Sequence, residues 1–134
     1  MKQALASGLP QLERKLTDAQ LDTFCAFGSA LVEKNQVMNL TAITEPEQVA
    51  RLHFLDCIAL LGAANFYGKS VIDVGCGAGF PGVPLKIAEP SIDLTLLDSL
   101  KKRMDWLESI LPELGIEAQC VAARAEEYAL EHLE

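Results

Sequence analysis

Two carboxylates and a run of glycines carry the chemistry open to this sequence. Asp73 sits near the end of the β-branched run Val71-Ile72-Asp73-Val74, and Gly75, Gly77, Gly79 and Gly82 follow it closely. Glycines at three alternate positions let backbone amides approach a ligand where any Cβ would collide, and a helix starting there presents unpaired N–H groups to the same place. A simple strand-to-helix turn needs only one such residue. The second carboxylate is Asp98, 19 residues after Gly79. A doubly wound fold uses that separation to deliver the acid that accepts both hydroxyls of a ribose. The competing reading makes Asp98 the N-cap of a helix beginning near Leu100, a task that Ser99 could also perform.

Gly77-Ala78-Gly79-Phe80-Pro81-Gly82 satisfies the Gly-x-Gly-x-x-Gly pattern of dinucleotide-binding proteins. Here, however, Gly75-Cys76 intervenes after the strand, and Pro81 and Pro84 crowd the turn. Asp73 would repel a pyrophosphate but could accept hydrogen bonds from a cationic amine. The favoured ligand therefore carries a positive group and a ribose. Lys101-Lys102-Arg103 is the densest basic cluster in the chain. Three cations in a first helical turn oppose the helix dipole, and either a solvated face or an anion site accounts for them. Arg51, His53 and Asp56 are interleaved with apolar residues. They read either as surface charges with a hydrogen-bonded, half-buried histidine or as site groups. Trp106 reads as core edge in preference to a base-stacking platform.

The elements that must hold these residues are strands over 71–74, 92–97 and 117–122, alternating with helices over 83–88, from about 100, and after 124. Such alternation calls for a parallel, right-handed crossover sheet with its site at the strand ends. The glycine corner, Asp98 and Glu126 all fall on that edge. Upstream, Leu5, Leu9, Leu12 and Leu16 predict a short helix over 1–16, interrupted near Gly8 and Pro10. Thr17-Asp18-Ala19-Gln20 is a capping-box pattern. It opens a helix with Leu21, Phe24, Cys25, Gly28, Leu31 and Val32 on one face, where Cys25 is packing and not chemistry. Thr44-Glu45-Pro46-Glu47 opens another, carrying Val49, Leu52, Leu55, Ala59 and Leu60. The fold class is thus α/β, with a helical extension over 1–68 and a sheet domain over 69–134 in one compact unit.

With 134 residues, half of them hydrophobic, the chain can bury a single core. A net charge of −8 opposes non-specific attraction to nucleic acid or anionic membranes. Cys25, Cys57, Cys76 and Cys120 lie far apart without a Cys-x-x-Cys pair, and two histidines accompany them. This spacing argues against a metal or disulfide scaffold and for a reducing, cytoplasmic setting. No apolar run reaches the length of a membrane span.

Asp73-Val74-Gly75-Cys76-Gly77-Ala78-Gly79-Phe80-Pro81-Gly82 resembles the S-adenosylmethionine motif of class I methyltransferases. Combined with Asn39-Leu40-Thr41, Arg51-Leu52-His53-Phe54-Leu55-Asp56 and Leu97-Asp98-Ser99-Leu100-Lys101-Lys102-Arg103, it is similar to the RsmG (GidB, glucose-inhibited division protein B) family. The resemblance runs from about residue 20 to 127. It implies a bacterial, Rossmann-like methyltransferase that modifies N7 of a guanine in 16S ribosomal RNA, on naked RNA or an assembled subunit. Gly75 and Phe80 would line the methionine and ribose side of the cofactor, with Gly77 and Gly79 in the same motif. Asp98 would bind the ribose hydroxyls, Ala125 and Glu126 would meet the adenine, and Asp73 would partner the methionine ammonium. Lys101, Lys102, Arg103, Arg51 and His53 are candidate RNA contacts, and no catalytic acid or base is assigned. Cys57 and Cys76 stand where the family more usually has serine. The alternatives are a nicotinamide-dependent oxidoreductase and a non-catalytic binding domain of the same fold.

Members of that family continue beyond the length of this chain with a Ser-Arg-Ala segment and further strands, so this sequence reads as an amino-terminal fragment holding half a sheet. The closing Leu133-Glu134 resembles a cloning remnant. The strand around 71–74, normally central, would then be an unpaired edge that invites another chain. A dimer or strand-exchanged species, with weak or absent methyl transfer, is the expectation. A monodisperse monomer in sedimentation velocity would overturn the self-association.

Overall fold

The structure, a computed structural model, describes residues 2–12, 16–38 and 54–131. Strands β1 (Ser70–Val74), β2 (Asp93–Asp98) and β3 (Gln119–Ala122) form a parallel sheet in the order β1-β2-β3. Val71 pairs with Leu94 and Val74 with Leu97, and on the other side Asp98 pairs with Ala122. The crossover helices are α4 (Gly82–Ala88) and α5 (Lys101–Ile110). Strand alternation places Asp73, Leu94, Leu96 and Asp98 on one face of the sheet, and all four are buried. Ile72 and Val74 point the opposite way and are 45% and 56% exposed. Among the described residues β1 is an outer strand, as the edge expectation requires.

The amino-terminal helices are α1 (Lys2–Gly8) and α2 (Asp18–Met38). α1 is shorter than the helix predicted over 1–16. It passes at Gly8 into a 3-10 turn, Leu9–Leu12, because Pro10 has no N–H with which to continue an α-helical ladder. A short α3 (Asp56–Ala59) and a 3-10 turn at Leu60–Gly62 lead into the sheet. Residues 125–131 form α6 (Ala125–Glu131). The earlier part of the helix predicted from Thr44, with Val49 and Leu52, lies outside the described residues, as does Asn39-Leu40-Thr41.

One core runs through both parts of the chain: Leu5, Phe24 and Leu31 share it with Val83, Leu96 and Leu107. On α2 the expected face is buried at Leu21, Phe24, Gly28 and Leu31. Phe27, outside the face expected from the sequence, is fully buried as well. Its spacing from Phe24 and Leu31 is a proper helical repeat, so the signal was present. Phe27 stacks at 5.9 Å from Phe54 and 6.4 Å from Trp106. Trp106 accordingly belongs to the core.

The capping box forms as its spacing predicts. The Thr17 N–H donates to Gln20 Oε1 at 2.8 Å, and the Gln20 N–H donates to Thr17 Oγ1 at 3.1 Å. Gln20 also does something that its local sequence does not announce. Its Nε2 donates to the carbonyls of Ile87 and Ala88, at 3.1 and 3.3 Å, satisfying acceptors at the C-terminal end of α4. One side chain thus starts α2 and closes α4, which fixes the helical layer against the crossover that carries the site.

Candidate nucleoside site

β1 ends at Val74, and the chain reverses through the glycine corner before α4. Gly75 has φ 71°, which favours glycine, and a Cβ built there would meet nothing within 4 Å. Gly82 is required for the opposite reason. A Cβ there would come within 2.8 Å of Leu96 Cδ2 and 3.0 Å of Asp73 Oδ2. The four glycines therefore divide in purpose: Gly75 leaves open space, whereas Gly82 lets the corner close on the sheet.

The expected cradle of free amides does not form. Gly75 and Cys76 donate their N–H groups to the Leu97 carbonyl at 2.8 and 3.1 Å, and Gly79 and Phe80 donate to the Cys76 carbonyl. Gly77 donates to Asp98 Oδ2 at 2.9 Å, and Gly82 to Asp73 Oδ2 at 2.9 Å. Within the first turn of α4, the Val83 N–H is taken by the Gly79 carbonyl at 2.8 Å, and Pro84 has none to offer. This corrects the expectation that the corner and the following helix present their amides to a ligand. These amides tie the corner to itself and to the ends of β1 and β2.

The chief acceptor is Asp98, buried at the end of β2. Its Oδ2 takes the Gly77 N–H, and its Oδ1 takes the Leu100 N–H at 2.9 Å. The Leu100 bond shapes the entry to α5, but it does not make Asp98 the N-cap, which corrects that reading. Leu100 itself is the N-cap, without a side-chain capping bond. An ionised carboxylate has about four lone-pair positions, so two backbone bonds leave Asp98 with capacity for two hydroxyl donors. Asp73 is buried beneath the corner. Burial pushes its carboxyl up to about 6, the Gly82 hydrogen bond pulls it down, and the nearby Asp98 charge raises it again. The Cys76 thiol is held up at about 12, first by burial and then by Asp73 and Asp98. It stays protonated and is no nucleophile.

Asp98 opens onto a cleft of about 220 Å³ at the carboxyl ends of all three strands. Val74 at the end of β1 and Gly75 after it line the cleft, as do Asp98 at the end of β2 and Ser99 after it, Ala123 and Arg124 beyond β3, and Ala125 and Glu126 at the start of α6. The structure thus brings Gly75, Asp98, Ala125 and Glu126 to one place. Phe80 lies elsewhere: its ring is 6.0 Å from both Phe27 and Phe54, in the aromatic cluster under the corner. Gly77 and Gly79 shape the corner without lining the cleft.

The basic cluster separates on folding. Lys101 is exposed and bonded to Asp105 at 2.7 Å, Lys102 is exposed, and Arg103 is half-buried, with its Nη1 3.8 Å from Asp98 Oδ2. Asp56 is exposed at the start of α3, and Arg51 and His53 lie outside the described residues. Among the described residues, no group of three or more His, Cys, Asp or Glu could hold a metal ion, and no helix is long and apolar enough to cross a membrane.

A family model described as rRNA small subunit methyltransferase G matches residues 20–133. Similar proteins carry the name Ribosomal RNA small subunit methyltransferase G. That of Desulfitobacterium hafniense (strain Y51) is 46% identical over 120 residues, covering 89% of this chain and 49% of the relative. That of Clostridium botulinum (strain 657 / Type Ba4) is 40% identical over 129 residues, covering 95% and 54%. In Alkaliphilus oremlandii (strain OhILAs) the identity is 45% over 129 residues, with the same coverage. The chain spans about half the length of the curated relatives it matches. With a Rossmann-like parallel sheet, a cleft at its strand ends and a family match over most of its residues, the chain belongs to the GidB family of rRNA small subunit methyltransferase G.

Proposed function

We propose that this chain forms the cofactor-binding part of an S-adenosylmethionine-dependent methyltransferase acting on N7 of a guanine in 16S ribosomal RNA, in the bacterial cytoplasm. The observation that carries the reading is the cleft, which buried Asp98 and the open backbone of Gly75 both line. The residues present suit a cationic nucleoside. Asp98 has acceptor capacity for two ribose hydroxyls, and Ala125 and Glu126 stand where an adenine would lie. Asp73, buried beneath the corner and bonded to Gly82, does not line the cleft; in this reading it favours a cationic ligand through its charge, and Phe80 supports the corner from beneath. A pyrophosphate finds little here, since the corner amides already donate within the protein. This weighs against the nicotinamide alternative.

When bound, S-adenosylmethionine supplies a methyl group on a cationic sulfur. The protein's part is to hold the nucleoside end at Asp98 and to keep the reacting line free of water. Guanine N7 carries an available lone pair, so no residue needs to remove a proton from it, and no paired acid and base is required. The target base has to leave its stack to reach the cleft. Lys102 and, beyond the described residues, Arg51 and His53 are the proposed phosphate contacts, with Lys101 available once it leaves Asp105. Residues 1–68 serve in this reading as a helical extension to the partial cofactor domain at 69–134. Self-association through β1 rests on its outer place in the sheet among the described residues, with Ile72 and Val74 exposed on one face of it.

Calorimetric titration with S-adenosylhomocysteine and with NAD tests the reading. Binding of the first alone is expected. Binding of NAD alone would replace it with the oxidoreductase reading, and binding of neither would favour a non-catalytic domain.

A further inference from the structure

Three cations open α5 and only one of them turns inward. Lys101 reaches forward one helical turn to Asp105, and Lys102 stands in solvent. Arg103 is 31% exposed, and its Nη1 lies 3.8 Å from Asp98 Oδ2. That oxygen also accepts the Gly77 N–H at 2.9 Å. A Cβ on Gly77 would come 4.0 Å from the same guanidinium nitrogen, so the tip of Arg103 stands beside Gly77. Arg103 does not line the cleft on which Asp98 opens.

We propose that Arg103 is a positioning residue of the nucleoside site, bracing Asp98 from outside the cleft while Gly77 and Leu100 hold it through their amides. This rests on the cofactor reading for its ligand, and it withdraws Arg103 from the candidate RNA contacts. A cation in the first turn of a helix is disfavoured by the helix dipole. The buried carboxylate at the end of β2 offsets that cost, and it in turn gains a fixed charge from outside the cleft. The guanidinium opposes swinging of Oδ2 away from the corner, which would break the Gly77 bond and turn the remaining lone pairs out of the cleft. A planar, permanently charged fork on a long stem suits this task.

The test uses this chain with Arg103→Met, which keeps the apolar stem and removes the charge, Arg103→Lys, which restores a charge, and Lys102→Met as the neighbour that faces solvent. Amide hydrogen exchange at Gly77, without ligand, reads the brace directly. Titration with S-adenosylhomocysteine reads its consequence. Arg103→Met is expected to speed Gly77 exchange and to weaken S-adenosylhomocysteine about fivefold, the order of one partly exposed ion pair. Arg103→Lys should recover part of both, and Lys102→Met should change neither. Unchanged Gly77 exchange in Arg103→Met, or equal acceleration in Lys102→Met, would overturn the proposal. Should the parent chain bind no S-adenosylhomocysteine, the cofactor reading fails, while the exchange measurement still decides whether Arg103 holds Asp98.

Discussion

Asp98→Ala is expected to weaken binding of S-adenosylhomocysteine by roughly a hundredfold. Two hydrogen bonds from ribose hydroxyls to an ionised acceptor contribute about 1.5 kcal/mol each, and each 1.4 kcal/mol or so is a factor of ten in affinity. The same substitution removes the acceptors of the Gly77 and Leu100 amides. Both of these bonds are partly buried, so water does not freely compensate either amide. A stability loss of about 1–3 kcal/mol should therefore accompany the affinity loss. Titration at a temperature well below the unfolding midpoint of the variant separates the two effects. Asp98→Asn provides the graded case, because it keeps one carbonyl oxygen and places a donor where the second acceptor was. Its affinity should fall between those of the parent and the alanine variant. An Asp98→Ala chain that folds and binds like the parent would move the nucleoside away from this cleft.

Asp73→Asn should make the free protein more stable at neutral pH and flatten its pH dependence. The carboxyl stands at about 6 in the fold against an ordinary 3.8, with burial as the main cause. Folding thus disfavours the charged form. Below about pH 4 the side chain is protonated both folded and unfolded, and no cost arises. As pH rises from 4 to 6 the unfolded chain ionises first, and the contribution of this group to stability falls. Above 6 the cost is complete, at about 3 kcal/mol for a separation of about two pH units. Asparagine carries no such cost, and its carbonyl oxygen can still accept the Gly82 N–H. Urea unfolding at several pH values between 4 and 8 would measure it. The parent should lose stability across that window relative to the variant, and identical slopes would place the cost elsewhere. A more stable Asp73→Asn that also binds the cationic cofactor less well would mark this carboxylate as one that exchanges stability for binding.

Sequence patterns that act over a few residues were legible, because their physics is local. The run Val71 to Val74 followed by glycines specified a strand and a reversal, and Thr17 with Gln20 specified a helix start through bonds three residues apart. The separation between Gly79 and Asp98 is set by one crossover helix, so it located a carboxylate at the end of β2 without knowledge of packing. The family resemblance, carried by motifs of the same short range, agrees with the family match over residues 20–133.

What the chain order could not disclose is how groups far apart share a partner. The corner looked like a cradle of amides, because counting glycines says nothing about which acceptors come within reach. Only when β1 and β2 pair do the Leu97 carbonyl and the Asp98 carboxylate arrive to take the N–H groups of Gly75, Cys76 and Gly77. Phe80 belongs to the cofactor motif in sequence, yet its ring is drawn towards Phe27 and Phe54, where apolar area leaves water. The second task of Gln20, on carbonyls 67 and 68 residues away, exists only after α2 docks beside α4. Lys101, Lys102 and Arg103 are equivalent cations in the sequence. Successive residues on a helix point about 100° apart, and the position of buried Asp98 decides that Arg103 is the one that turns inward. Local backbone preferences and hydrophobic spacing thus determined the elements and their order. Tertiary pairing decided which polar groups are already engaged and which remain for a ligand, since hydrogen bonds and ion pairs depend on distances that exist only in the folded chain.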